Sequence, residues 1–201
     1  MARPTFDFGD GPVPASRYVN RDGSIGGWVA DTAQVSDNAH IGPDALVWGT
    51  AEVYDSARVT GQARVSGVKA TVRGMAEVFG DAMISGNGSV NGEARIGGRA
   101  RVSGNASVGN NAIVIGQAHV FGDAMVYGSA RLSDFAQVYG DAHVWDNGQV
   151  YDRGQVSDFG KVYEQAKVNK KGHVRGCTQI SGKTRITGQR QTESLWQQLL
   201  G

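Results

Sequence analysis

Four histidines, His40, His119, His143 and His173, are the side chains best suited to chemistry in this chain of 201 residues. A histidine near neutrality can serve as a general base. Three brought together can hold zinc at ligand distances of about 2 Å. A base needs a walled pocket beside it, and a metal needs its ligands to converge. The elements that carry the histidines therefore decide which chemistry is open. The lone cysteine, Cys177, cannot staple the fold and points to a cytoplasmic setting. The net charge of +1 argues neither for nor against nucleic acid. No apolar run approaches a membrane span, and the first residues lack the apolar core of a signal peptide.

The positioning elements come in sixes. From Val29 an aliphatic residue recurs at Val35, Ile41, Val47, Val53, Val59 and Val65, slips once by one residue within "SGVKAT", and resumes at Val72. It then continues without a break to Ile186, 27 positions in all. Two residues before each stands a small residue, mostly Ala or Gly. Two residues after, 24 of the 27 positions hold Gly, Asp or Asn, the exceptions being Pro43, Glu164 and Lys170. The Ala-x-Val phrase has the period of two that marks a strand. Gly, Asp and Asn tolerate the left-handed conformation of a tight corner. Each hexad thus reads as one short strand plus one corner, and a helix is excluded because its period is 3.6.

These hexads resemble the hexapeptide-repeat superfamily over about residues 27–188. The resemblance implies an all-β, left-handed parallel β-helix with three hexads per triangular coil, and hence about nine coils and roughly 43 Å of length. It also implies a homotrimer. More narrowly, the "GGWV" entry and the "A-x-V-x-G-D" phrase are similar to hexapeptide-repeat proteins of bacteria and their phages that carry transferase labels on fold alone, which points to a phage-encoded, host-interacting setting. Residues 1–26 are expected to form an N-terminal cap. Residues 189–201 are expected to form a C-terminal helix or cap, with Thr192 as N-cap and Leu195, Trp196, Leu199 and Leu200 on its apolar side.

In this register every histidine lies at the outward mid-strand position. His119 and His173 share a face three coils apart, and His143 lies on another, so no zinc site is expected. The superfamily includes acyltransferases that use a histidine base beside a loop forming the substrate wall. Here the only excursion is the single residue near Val68 and Lys69. An acyl-CoA-dependent acyltransferase with a site between subunits, using His119 or His143, is the alternative reading. No cofactor is expected.

Two surface features remain. Aromatic residues often follow the core aliphatic directly, and Tyr127, Trp145 and Tyr163, eighteen apart, should stack one per coil. Ile113 and Ile115 flank a core valine, and Phe121, Met125 and Tyr127 follow on the next faces of the same coil. With Trp145 they form a belt that reads as an interface. Charge is also segregated, and Lys167, Lys170, Lys171, Arg175, Lys183 and Arg185 make the C-terminal coils basic. A solvated surface accounts for them, and nucleic acid is not an expected partner. The sequence therefore points to a non-enzymatic solenoid that acts by binding an unidentified protein partner and its own copies.

Overall fold

The computed structural model describes residues 3–188. Three strands open it: β1 (Thr5–Asp7), β2 (Pro12–Val19) and β3 (Ile25–Ala30). All later strands are two to four residues long, the length a hexad leaves between corners, and no helix occurs among the described residues. They fall into three sheets of eleven, nine and nine strands, with every third strand in the same sheet. From β3 onward, neighbours within a sheet are parallel and offset by eighteen residues, as in Val114 beside Leu132 and Val120 beside Val138, or by nineteen across the one-residue insertion, as in Val65 beside Ile84. The chain is a parallel β-solenoid of about nine coils.

The expected register holds. Of the 27 periodic aliphatics all but Val35 are buried, and the alanines two residues earlier pack with them. Val35 is half-buried because its strand, Gln34–Val35, ends the second sheet and has a partner on one side alone. The core is one continuous column of small aliphatic side chains along the axis.

The corner rule needs correction at both ends. Positive φ occurs at 24 corners from Gly49 to Gly188, and these include Glu164 and Lys170, both at φ 56. Asp31, Asp37 and Pro43, in the first coil, lack it. Proline could not adopt it, since its ring holds φ negative. Asp31 instead donates its N–H to Pro14 O, 2.9 Å away, in the chain that enters the first coil.

Acidic corners contribute a bond that glycine cannot. The carboxylate of one corner accepts the N–H of the corner residue one coil on: Asp134 from Asp152 (3.1 Å), Asp152 from Lys170 (3.1 Å), Asp158 from Gly176 (3.0 Å) and Glu164 from Gly182 (2.6 Å). These N–H groups lie between the sheet ladders, and the side chain supplies their acceptor.

The entering segment touches the open side of all three sheets. β2 pairs antiparallel with β3, and β1 with β2. Tyr18 donates its hydroxyl to Ser36 O at 2.9 Å, and Asn20, 5% exposed, bonds the backbone of Ile41. Phe6 stacks on Trp28 and Phe8 on Trp48, with centroids 4.8 and 5.3 Å apart. The expected C-terminal helix lies outside the described residues.

Candidate interaction surface

Side chains at the residue before each core aliphatic point outward and align in one column per sheet. In the first sheet the column runs through Arg64, Met83, Arg101, His119, Gln137, Gln155 and His173. His119 and His173 thus share a sheet three coils apart. His143 lies in the second sheet and His40 in the third. Among the described residues no three metal-binding side chains gather.

All four histidines are half-buried, and His119, His143 and His173 have local partners. His119 Nε2 lies 3.0 Å from Ser103 Oγ, and its ring packs on Phe121 at 4.4 Å. His173 Nε2 lies 2.8 Å from Ser157 Oγ. His143 meets the rings of Tyr127 and Trp145 edge-on at 6.5 and 6.3 Å. Burial holds His119, His143 and His173 below the ordinary histidine range, with Arg101, Lys161 and Arg175 pushing the same way. A neutral imidazole at His119 or His173 can accept a proton from its serine, Ser103 or Ser157. Yet Ser157 is itself buried, which removes it from any substrate. The one-residue insertion raises Val68 to 71% exposure but forms no wall, because Lys69 N–H returns at once to Gly86 O, 3.2 Å away.

The aromatic ladder forms as the spacing predicts. Tyr127, Trp145 and Tyr163 stack with centroids 5.9 and 4.5 Å apart and planes within 8° of parallel. Phe121 and Tyr139 stack likewise at 4.9 Å. Trp145 has a ring on each face, so it presents its edge outward. The ladder stabilises adjacent coils by about 0.5–1.5 kcal/mol per pair.

The side chains of the expected belt are unequally exposed. Ile115 is 39% and Met125 44% exposed, whereas Ile113, Phe121, Tyr127 and Trp145 are half-buried. Ile113 stands in the third sheet, Phe121 at the edge of the first and Met125 in the second. The second sheet's outward column around Met125 carries no charge from Thr71 through Ser89 and Ser107. In the third sheet, Ile113 and Ile115 open a shallow groove of about 340 Å³ that Arg131, Leu132, Ser133, Gln149 and Tyr151 complete.

The basic residues divide. Lys167 and Arg185 are register neighbours in the third sheet, Lys183 lies in the turn entering that sheet, and Lys170 and Lys171 lie in the turn leaving it. Arg175 follows the first-sheet strand His173–Val174 and sits apart from them. Reasoning from the hexad missed Phe135 and Phe159, 50% and 56% exposed, because they stand three residues after the core position, in the turn. It also missed Arg131, Gln149 and Tyr151 as groove residues, since an eighteen-residue offset had to be followed for both outward columns at once.

Residues 94–110, about one coil, match the family model described as YdcK Beta solenoid repeat. The protein is a β-solenoid. Its similarity to that repeat falls within coils whose register and corners are shared by the rest of the solenoid after the first coil. No curated protein matches the chain. Among the described residues, no helix of this solenoid is long and apolar enough to cross a membrane.

Proposed function

We propose that this solenoid is a non-enzymatic scaffold that presents its outer faces to protein partners and assembles as a parallel homotrimer. The observation that carries the reading is the coil that exposes Ile115 and Met125 while its interior is filled. Apolar side chains exposed together on one coil support a contact surface, whereas Val68, Phe135 and Phe159 stand exposed on other coils. The second sheet is the face best suited to self-contact. Its column from Thr71 through Ser89 and Ser107 to Met125 is uncharged, so over this stretch copies can approach without like charges meeting. The finer architecture belongs to the same reading: a left-handed, three-sided prism closed by β1 and β2 at its N-terminal end. The reading extends to contact with host proteins, which the resemblance to bacterial and phage hexapeptide-repeat proteins supports.

Light scattering tests the assembly. We expect three times the 21.2 kDa chain mass for the native protein. The Met125→Asp variant should drop to one chain mass with its β-type circular dichroism kept. A native monomer at micromolar concentration overturns the trimer.

A further inference from the structure

We infer that the outer face of the third sheet docks an acidic amphipathic helix of a partner protein, laid along the solenoid axis. The inference rests on the partner-presenting reading above and names the partner class. The outward column of this sheet runs Arg95, Ile113, Arg131, Gln149, Lys167, Arg185. The nearest carboxylate below it, Glu77, is held by Arg95 at 3.0 Å. Among the described residues no carboxylate pairs with Arg131 or Lys167. The acids nearest in sequence to Arg131 and Lys167, Asp134 and Glu164, sit at corners beside the face and accept backbone N–H groups there. The column is therefore cationic apart from one apolar step, the groove at Ile113 and Ile115, and one neutral step at Gln149.

That pattern narrows the occupant. A second copy cannot bring the same face against this one at equal height, because Arg131 would meet Arg131 and Lys167 would meet Lys167. Nucleic acid would favour bare aromatic faces beside the cations. Here the tyrosine at the groove, Tyr151, is fixed by a hydrogen bond from Arg185 at 2.9 Å. A helix fits the ladder. Its turns repeat every ~5.4 Å, and the column steps by ~4.8 Å. Over three coils the mismatch is about 2 Å, within the reach of arginine and lysine. One apolar side chain would fill the groove, and acidic side chains on neighbouring turns would face Arg131 and Lys167.

Fluorescence anisotropy with a labelled synthetic peptide tests this. The probe is a helix-forming sequence of about twenty residues, with leucine on one stripe and glutamate flanking it. Its counterpart with lysine in place of glutamate and a single-stranded oligonucleotide serve as comparisons. We expect micromolar binding of the acidic peptide, weakened at least about tenfold by Arg131→Glu or Ile115→Asp and weakened by added salt. Arg64→Glu, on the first sheet, should leave it unchanged. Equal binding of the lysine peptide, indifference to Arg131→Glu, or tighter oligonucleotide binding through the same residues overturns the inference. Light scattering on the same samples reads the trimer through Met125. A trimer that binds no acidic peptide therefore sinks this inference alone.

Discussion

The side-chain amide of Asn20 makes both hydrogen bonds that a neighbouring strand would make to Ile41. Its Oδ1 accepts the Ile41 N–H at 2.9 Å, and its Nδ2 donates to the Ile41 carbonyl at 3.0 Å. Asn20 is buried, so removing it leaves two backbone groups without partners. Asn20→Ala should lower stability by about 1–3 kcal/mol in denaturant titration. Hydrogen exchange at the Ile41 amide should quicken more than at Val114. Unchanged protection at Ile41 would mean that the entering segment is not held through this residue.

Corner residues with a side chain carry a second testable balance. Glu164 has the left-handed strain of a non-glycine residue at φ 56, and its carboxylate accepts the Gly182 N–H at 2.6 Å. Glu164→Ala keeps the strain and loses the bond, and should cost about 1 kcal/mol. Lys170 has the same φ, and no corner bond from its side chain is seen among the described residues. Lys170→Gly should therefore raise stability by about 1 kcal/mol. Melting temperatures moving in opposite directions would bear this out.

Gly97 is required by its neighbour's ring. A Cβ there would lie 2.2 Å from the ring of Phe79, which in turn carries the guanidinium of Arg95 at 5.5 Å. Gly97→Ala should destabilise by about 1–3 kcal/mol through overpacking. In a double-mutant cycle, Phe79→Leu should recover part of that loss. A purely additive result would show that the ring moves aside at no cost.

Stability should fall on mild acidification. Burial lowers the folded-state affinity of His119, His143 and His173 for protons, so the unfolded chain binds more protons as pH drops. Their contribution is full above the unfolded histidine value near 6.5 and is lost as pH falls through the folded value. Thermal melts between pH 7.5 and pH 5 should descend, and His119→Gln should make the descent shallower. A flat profile in the native protein contradicts the half-buried placement.

Acetyl-CoA should not be turned over. The histidines lie on separate faces or three coils apart, and the insertion near Val68 builds no wall. Calorimetry should find no saturable acetyl-CoA binding. Saturable binding, with turnover lost in His119→Ala or His143→Ala, would establish the acyltransferase alternative instead.

The repeat, its register and the burial of its valines and alanines were legible in the sequence because a period of six locks side-chain direction to position. A two-residue strand leaves no freedom for Val114 to face outward while Ala112 faces in. The ladder of Tyr127, Trp145 and Tyr163 followed from the same arithmetic, since three hexads make a coil. Tertiary structure alone decided what crosses between coils without obeying the period. The φ of Glu164 and Lys170 is set by the stacked corners above and below them, which override the intrinsic reluctance of those residues. The division of the basic residues, with Arg175 apart from Lys167 and Arg185, depends on which sheet each turn enters. The groove beside Ile115 exists because Arg131 and Tyr151, two residues that share no hexad, become its walls one and two coils away.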